Sequence, residues 1–200
     1  MLKHVVSETL YYYKKHAIEF AANTQQVDFS EIQDKFISLL PKHGAILDLG
    51  CGAGRDTRKF TQAGFKVEAW DGSPELCNIA SRYSGIVAKN KLFSELKEKM
   101  QYDGIWACAS ILHLSRSELG DTLNRIAAAL KTGGVFYTSF KYGNFEGMRN
   151  GRYFIDMTEK TFTLFMKDYH DFKIIDLWRT GDARPDREDE QWLNAIMKKI

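Results

Sequence analysis

Residues 45–57 constrain the fold of this chain more than any other stretch of the sequence. They begin with an apolar run that predicts a buried parallel strand. The turn that follows has a glycine at every second position, Gly50, Gly52 and Gly54, and a helical pattern starts at Arg55. Because glycine lacks a Cβ, a ligand can lie against this backbone, with amide N–H groups of the helix start pointing at it. The order of strand, glycine turn and helix predicts an α/β fold with a binding site after the first strand.

The spacing of the glycines argues against a dinucleotide site. A dinucleotide fingerprint has the form G-x-G-x-x-G after a strand. Counting from Gly50 places Arg55 at the third glycine position, and counting from Gly52 places Thr57 there. The sequence instead reads G-x-G-x-G, and Asp48 precedes it on the predicted strand. A carboxylate at this point repels a pyrophosphate and favours a ligand with a positively charged group.

A second acid follows at the spacing that a nucleoside ligand needs. Residues 66–70 predict the second strand, and Asp71 lies at its end, about twenty residues beyond the glycines. An acid in this place can accept hydrogen bonds from both hydroxyls of a ribose. Ser73 then caps the next helix, with Pro74 at the first helical position and Glu75 in the first turn.

These two motifs resemble those of the class I S-adenosylmethionine-dependent methyltransferases, in which an aspartate and one further residue precede G-x-G-x-G. Residues 102–153 look most similar to the small-molecule enzymes, including the tellurite-resistance type. The resemblance implies an α/β, Rossmann-like three-layer sandwich with a mostly parallel seven-stranded sheet, strand order 3-2-1-4-5-7-6 and an antiparallel last strand. It also implies S-adenosylmethionine as cofactor, whose ammonium and sulfonium suit Asp48, and S-adenosylhomocysteine as product.

The resemblance further implies which residues contact the cofactor. The predicted contacts are Asp48, Gly50, Cys51, Gly52, Gly54, Arg55, Asp71, Gly72, Ser73, Leu92, Phe93, Ala107 and Tyr12. We expect Arg55 to hold the methionyl carboxylate, with a solvated surface arginine as the alternative. Leu92 and Phe93 are expected to form a wall along the adenine. Tyr12 or Tyr13 is expected to face the pocket from a helix that partly covers it, and a core tyrosine is the alternative.

Length and composition indicate one domain. The 200 residues are 44% hydrophobic, enough for a single core, and contain no proline- or glycine-rich linker. The net charge of +2 argues against a nucleic-acid or membrane partner. Three cysteines lack the spacing of a disulfide framework or a zinc site, so we predict no metal. No signal peptide or membrane-spanning run is visible, so we expect a cytoplasmic protein, monomeric or dimeric.

The remaining pattern divides the single methyltransferase domain, residues 1–200, into an N-terminal helical lid, residues 1–40, and a Rossmann-like core, residues 41–200. Helices are predicted at residues 10–20, 29–40, 55–63, 115–130 and 158–169, and one more begins at Pro74. Strands three to six are predicted at residues 85–88, 102–110, 135–140 and 172–178. The periodicity of residues 191–200 fits either a helix or a strand. The resemblance implies that this segment is an antiparallel seventh strand between strands five and six.

Two connections are expected to meet the methyl acceptor. Residues 141–154 form a long glycine-studded loop whose candidate contacts are Lys141, Arg152 and Tyr153. Residues 180–190 form a hairpin that contributes Arg184 and Arg187. The surplus of cations predicts a small-molecule acceptor with a carboxylate or another anionic group. Flexible surface loops with solvated charges are the alternative.

The sequence contains no sharp catalytic constellation. Methyl transfer from a sulfonium is an in-line displacement, so alignment of the acceptor and exclusion of water matter most. His113, Lys141 and Tyr153 are the candidates for a catalytic group, and a purely structural His113 is the alternative. The predicted function is S-adenosylmethionine-dependent methyl transfer to a small molecule. The alternatives are an enzyme of the same fold that acts on nucleic acid or protein, and a non-catalytic module that binds the cofactor.

Overall fold

The computed structural model describes the backbone of residues 2–185, 187 and 189–200, and the side chains in these ranges from Ser7 onward. Its helices are α1 (Leu2–Thr24), α2 (Ser30–Ile37), α3 (Arg55–Gln62), α4 (Pro74–Ser84), α5 (Arg116–Ala129) and α6 (Glu159–Met166). Its strands are β1 (Ala45–Leu49), β2 (Lys66–Asp71), β3 (Ala88–Asn90), β4 (Tyr102–Ala107), β5 (Leu130–Lys141), β6 (Glu146–Arg149), β7 (Arg152–Ile155), β8 (Phe172–Gly181) and β9 (Gln191–Lys199).

Seven of the strands form one sheet in the order β3-β2-β1-β4-β5-β9-β8. Strands β1 to β5 are parallel to one another, and β9 is antiparallel to both of its neighbours. The predicted α/β, Rossmann-like fold and its strand order are thereby confirmed. The chain returns from β8 to β9 by a hairpin, and a hairpin requires antiparallel strands.

Helices cover both faces of the sheet, because its central strands are apolar on both sides. Ile46 of β1 packs on one face with Phe36 of α2 and Phe60 of α3, whereas the next residue, Leu47, packs in the cluster on the other face. The ring of Trp106 lies 5.0 Å from that of Phe36 and 5.2 Å from that of Phe60, centroid to centroid. This packing holds the carboxyl ends of β1 and β4 in fixed positions beside the glycine turn.

Two local predictions are wrong. Strand β3 begins at Ala88 and not at residue 85, because Gly85 ends α4 with a left-handed φ of 82°. Residues 141–154 are not a simple loop, since β6 and β7 pair in a separate hairpin. Its turn contains Asn150 and Gly151, with φ of 51° and 76°. An Asn-Gly pair is the turn signal that predicts a two-residue hairpin.

The N-terminal helix α1 lies across the carboxyl edge of the sheet, where it packs against α4 and β7. Two hydrogen bonds attach it to distant parts of the chain: Thr9 Oγ1 accepts from the Tyr153 N–H at 3.1 Å, and Gln25 Nε2 donates to the Ala53 carbonyl at 2.9 Å. The helix therefore covers the region that follows β1. Within the described residues, no helix has both the length and the apolar character that crossing a bilayer requires.

Candidate active site

A cavity of about 660 Å³ opens at the carboxyl ends of β1, β2, β4 and β5. Its floor is formed by the glycine turn after β1, the end of β2 and the turn after β4. Helix α1 covers it, and the β6–β7 and β8–β9 hairpins close two of its sides. The order of the sheet reverses between β1 and β4, and ligands of open α/β sheets bind at such a switch point.

The three glycines of the turn have a left-handed backbone conformation, and much of the space beside them is filled by protein. Gly50, Gly52 and Gly54 have φ of 84°, 55° and 88°. A Cβ at Gly50 would lie 2.4 Å from the Cβ of Ser110, and one at Gly54 would lie 2.9 Å from the Cα of Ala80. Gly50, Cys51 and Gly52 line the cavity, whereas Gly54 packs against α4 outside it.

The amides of the turn are also used within the protein. The N–H groups of Gly50 and Cys51 donate to the Trp70 carbonyl at 2.8 and 2.9 Å, and the N–H of Gly54 donates to the Cys51 carbonyl at 3.0 Å. The N–H of Gly52 donates to Asp71 Oδ2 at 2.9 Å. The turn therefore uses these amides to hold itself, β2 and Asp71 in place, and the expectation that amides of the helix start point at a ligand stays a prediction.

Asp71 lies in the cavity wall at the end of β2, as predicted. Its Oδ2 accepts from Gly52 and its Oδ1 accepts from the Ser73 N–H at 2.8 Å. Burial raises the pKa of Asp71 to about 6, although both backbone donors oppose this shift. Each carboxylate oxygen can accept a further hydrogen bond. The two carboxylate oxygens of Asp71 thus lie side by side at the cavity wall, and each is oriented to accept a further hydrogen bond.

Asp48 was predicted to contact the cofactor, but it lies outside the cavity. It is only 1% exposed, does not line the cavity, and accepts a hydrogen bond from Thr57 Oγ1 at 2.5 Å. Burial raises the pKa of Asp48 well above its ordinary range, and the nearby Asp56 carboxylate raises it further. A neutral carboxyl below the turn cannot attract a cation in the cavity. Asp48 instead connects β1 to the first turn of α3.

Arg55 lines the cavity but is already paired. Its Nε donates to Asp56 Oδ1 at 2.7 Å, one terminal nitrogen donates to Oδ2 at 3.0 Å, and its guanidinium lies 4.3 Å from the Phe29 ring centroid. Asp56 also accepts from Gln33 and Trp106. Despite its burial, the pKa of Asp56 is lowered because the Arg55 guanidinium stabilises the carboxylate. Arg55 would therefore contact an incoming carboxylate while its hydrogen bonds to Asp56 stay in place.

The remaining predicted cofactor contacts separate into two groups. Gly72, Leu92 and Phe93 line the cavity, where Leu10 of α1 lies against Gly72. These apolar groups fit the flat face of a purine. Ser73 and Ala107 do not line it: Ser73 is buried as the cap of α4, its Oγ accepting from the Leu76 N–H, and Ala107 is buried in the sheet. The next residues along the chain, Cys108, Ala109 and Ser110, form the wall in place of Ala107.

Of the two candidate tyrosines of α1, Tyr13 lines the cavity and Tyr12 does not. Tyr12 lies outside, where its ring stacks on His16, and the Arg152 guanidinium lies 4.3 Å from the centroid of the Tyr12 ring. The Tyr13 hydroxyl lies 2.8 Å from His113 Nε2. Successive residues of a helix point in directions about 100° apart, so only one of the pair can face the ligand.

The end of β5 and the β8–β9 hairpin border the cavity with cations that have acidic partners. Lys141 pairs with Glu190, and burial lowers the pKa of its ammonium to about 8. The Arg184 guanidinium makes a bidentate ion pair with the Asp182 carboxylate, with nitrogen–oxygen distances of 2.9 and 2.5 Å. Arg187 lies 3.1 Å from Glu190. All three predicted cations therefore line the cavity as ion pairs.

Arg152 differs from these cations. It lines the cavity, and no carboxylate in the described part of the chain pairs with it. Its Nε is buried and has no hydrogen-bond partner. The neighbouring Tyr153 turns the other way, so its predicted role in catalysis or substrate binding is corrected: its hydroxyl donates to Glu146 Oε1 at 2.8 Å, outside the cavity. In a strand, successive side chains point to opposite faces, which explains the difference.

Sequence reasoning missed several cavity residues that come from outside its motifs. Thr9, Phe20, Asp182, Trp192 and Asn194 all line the cavity. Of these, only Trp192 and Asn194 carried a usable signal, because they belong to a strand that the resemblance places beside β5. Among the described residues, no group of three or more His, Cys, Asp or Glu side chains is arranged to hold a metal ion.

Comparison with known proteins agrees with this geometry. Residues 46–134 match a family model described as a methyltransferase domain. The chain is similar in structure to 1,6-didemethyltoxoflavin-N1-methyltransferase of Burkholderia thailandensis, solved with 1,6-didemethyltoxoflavin and S-adenosylhomocysteine. Their identity is 21% and the TM-score is 0.82, over 100% of this chain and 90% of that one.

Two further structures show the same fold. The N-methyltransferase NodS of Bradyrhizobium japonicum, solved with S-adenosylhomocysteine, is 15% identical with a TM-score of 0.69, over 93% of this chain and 97% of that one. An S-adenosylmethionine-dependent methyltransferase of Mesorhizobium loti is 17% identical with a TM-score of 0.68, over 83% and 96%. No curated protein sequence matches the chain significantly.

The sheet order and the family match point to the same class of protein. Residues 46–134 match a methyltransferase domain, and the whole chain has the Rossmann-like fold of the S-adenosylmethionine-dependent methyltransferases to which it is similar. The family match and the two neighbours solved with S-adenosylhomocysteine support an enzyme that uses S-adenosylmethionine as its cofactor.

Proposed function

We propose that this enzyme methylates a small molecule with an anionic group, which binds between α1 and the two hairpins. The observation that carries this proposal is the continuity of the cavity. One space joins Asp71 and the glycine turn to a wall that contains the unpaired Arg152. Its volume of about 660 Å³ lies in the range of small-molecule sites.

The residues at the Asp71 end fit the cofactor. The two carboxylate oxygens would accept from the ribose hydroxyls, and Leu10, Leu92 and Phe93 would lie along the adenine. Arg55 lies at the far side of the glycine turn, beside Phe29 and Cys108, where it would meet the methionyl carboxylate. When bound, S-adenosylmethionine supplies an electrophilic methyl group on a sulfonium.

The protein itself supplies alignment and a dry site. Helix α1 places Tyr13 and Phe20 over the floor of the cavity, where the Phe20 ring lies so close to Gly52 that a Cβ there would be only 3.1 Å away. This cover separates the reacting atoms from bulk water. Orientation of two reactants contributes about 7–11 kcal/mol to the lowering of a barrier. The chemistry therefore needs few specialised catalytic groups.

Arg152 supports the anionic character of the acceptor. Lys141 and Arg187 share the Glu190 carboxylate and Arg184 pairs with Asp182, so two of these three positive charges are offset. Arg152 has a buried Nε without a partner, and an unpaired guanidinium in a partly buried wall favours a carboxylate or phosphate. Its neighbours Tyr13 and His113 supply further polar atoms. The tellurite-resistance subtype and the cytoplasmic location stay predictions.

Ligand-induced stabilisation tests the proposed cofactor end. We expect S-adenosylmethionine and S-adenosylhomocysteine to raise the melting temperature, because a ligand at 100 times its Kd adds about 2.7 kcal/mol to the free energy of unfolding. NAD serves as the control, and stabilisation by NAD alone would contradict the proposal.

A labelling experiment tests the acceptor. The enzyme is incubated with methyl-labelled S-adenosylmethionine and a cell extract, which is then separated into metabolite, nucleic-acid and protein fractions. We expect the label in the metabolite fraction, on molecules that an anion-exchange resin retains. Label in either macromolecular fraction would instead identify an enzyme of the same fold with a large substrate.

A further inference from the structure

Tyr13 and His113 form a hydrogen-bonded pair in the cavity wall. The Tyr13 hydroxyl of α1 lies 2.8 Å from Nε2 of His113, which follows β4. The other ring nitrogen of His113, Nδ1, lies 2.6 Å from the Tyr153 carbonyl of β7. Both side chains line the cavity, and His113 is only 8% exposed.

The partners determine the direction of these two hydrogen bonds. A carbonyl oxygen can only accept, so Nδ1 of His113 carries the proton and donates it to Tyr153. Burial lowers the pKa of His113 to about 4, so the ring is neutral near pH 7. Nε2 then holds a lone pair and accepts from the Tyr13 hydroxyl. The pair can move a proton in one direction only, from Tyr13 to His113.

The surrounding groups control when that proton moves. Burial raises the pKa of Tyr13, which opposes an isolated phenolate, and Asp71 of β2 and Tyr12 of α1 act in the same direction. The Arg152 guanidinium of β7, 5.7 Å from the Tyr13 ring centroid, favours the phenolate but disfavours a charged His113. Tyr13 therefore keeps a proton at rest and releases one only when it receives another.

We propose that Tyr13 takes a proton from an N–H or O–H group of the methyl acceptor while its own proton passes to Nε2 of His113. The acceptor nitrogen or oxygen forms a bond to the methyl carbon as the carbon–sulfur bond breaks, and that electron pair stays on sulfur. The acceptor proton ends on Tyr13 Oη and the Tyr13 proton on His113. The positive charge of the sulfonium ends on the imidazolium, which keeps its hydrogen bond to the Tyr153 carbonyl.

This inference rests on the proposed function and narrows its acceptor. Amide, phenol, enol and ring N–H groups must lose a proton during or before methylation. A thiolate or carboxylate acceptor has no proton to lose, so a Tyr–His pair in the wall would be idle. The structure thus assigns the acceptor to small N–H or O–H acids, held by the adjacent Arg152 through a separate anionic group.

The state of the histidine is measured first, on the enzyme with S-adenosylhomocysteine. Nitrogen NMR of the five ring-labelled histidines, assigned with H113Q, reports the tautomer of each. We expect His113 to be neutral and protonated on Nδ1 at pH 7, and we expect Y13F to shift its Nε2 resonance. Protonation on Nε2, a charged ring at pH 7, or an Nε2 resonance unmoved in Y13F would overturn the proposal.

Methyl transfer into the metabolite extract is measured next. General acid–base groups contribute about 10²–10⁴-fold, so we expect Y13F and H113Q to lower the single-turnover rate by about a hundredfold or more. The Kd for S-adenosylhomocysteine should change by less than about twofold. Y11F is the matched control, because Tyr11 lies on the same helix and is 56% exposed. A Y13F rate close to that of Y11F would overturn the proton transfer.

The chemistry of the labelled product separates the acceptor classes. N-methyl and methyl ether products survive alkali and Raney nickel. Alkali releases methanol from a methyl ester, and Raney nickel removes the methyl group from a thioether, so either result would overturn the assigned class. If the wild-type enzyme labels no metabolite, the proposed function fails, and the NMR measurement alone decides whether the Tyr13–His113 pair has the required tautomer.

Discussion

The two ends of the cavity are built in different ways. At the cofactor end, Asp71 is held by the N–H of Gly52, a partner 19 positions away, and by that of Ser73, two positions away. At the acceptor end, Tyr13 and His113 are 100 positions apart, and Tyr153 and Thr9 are 144 positions apart. Asp71 and its two donors thus belong to one β-α-β unit, whereas the contacts at the acceptor end exist only after the whole chain has folded.

This difference explains how one fold can bind different methyl acceptors. The glycine turn and Asp71 belong to the rigid strands of the sheet, and their geometry does not depend on the hairpins. The β6–β7 and β8–β9 hairpins lie at the edge and can vary without disturbing Asp71 or the glycine turn. If the two ends are independent in this sense, single substitutions should affect one end and leave the other unchanged.

The largest effect on the cofactor end is expected from D71A. Hydrogen bonds to a charged group contribute about 1.5–3 kcal/mol each, so losing two acceptors should weaken S-adenosylhomocysteine binding at least tenfold. Isothermal titration calorimetry measures this. E68Q, on the same strand but outside the cavity, is the control. A loss below threefold would mean that the ribose lies elsewhere.

R152Q tests the acceptor end of the cavity. Removing the unpaired guanidinium should lower the rate of methyl transfer to the metabolite extract by about tenfold or more, since one charged hydrogen bond is lost. The Kd for S-adenosylhomocysteine should stay within about twofold of the wild-type value. Arg82, exposed on α4, provides the control variant R82Q. A large loss of cofactor affinity in R152Q would show that the two ends are not independent.

Cofactor binding should depend on pH through Asp71. Because burial raises the pKa of Asp71 to about 6, its carboxylate is ionised at pH 8 and mostly protonated at pH 5. A protonated carboxyl accepts more weakly from hydroxyls, so the affinity for S-adenosylhomocysteine should fall about tenfold between pH 8 and pH 5. Titration of D71N over the same range is the test. A similar fall in D71N would assign the pH dependence to another group.

The smallest effect is expected from D48N. Asp48 lies beneath the turn without lining the cavity, so the substitution should change cofactor affinity by less than about threefold. The raised pKa of Asp48 means that the folded state binds its proton more tightly than the unfolded state does. The wild type should therefore lose stability relative to D48N as the pH rises from 5 to 9. Denaturant unfolding at both pH values measures this, and an unchanged difference would contradict burial of a neutral carboxyl.

Most of the sheet could be predicted because its signals are local. The apolar runs of β1 and β4, the glycines after β1 and the caps at Ser73 and Thr158 each depend on a few neighbouring residues. The β6–β7 hairpin was missed although Asn150-Gly151 carries a hairpin signal, because the glycines around it favoured a loop.

The candidate site was predictable only in part, for the same reason. Sequence spacing located Asp71 correctly, but it could not show that Asp48 is buried below the turn and hydrogen-bonded to Thr57. Nor could it choose between Tyr12 and Tyr13, since that choice depends on how α1 is rotated against β7. The ion pair of Lys141 with Glu190 was equally invisible, because these two residues are 49 positions apart and become neighbours only when β9 pairs with β5.

The order of residues along the chain was sufficient to predict a Rossmann-like sheet, a glycine turn after its first strand and an acid at the end of its second strand. Each of these features arises from backbone preferences and side-chain alternation within fewer than thirty consecutive residues. Folding alone decided that Tyr13, His113 and Arg152 meet in one wall, and that Arg152 is the cation without a carboxylate there. Contacts between segments a hundred positions apart depend on the packing of the whole molecule, and no local pattern records them.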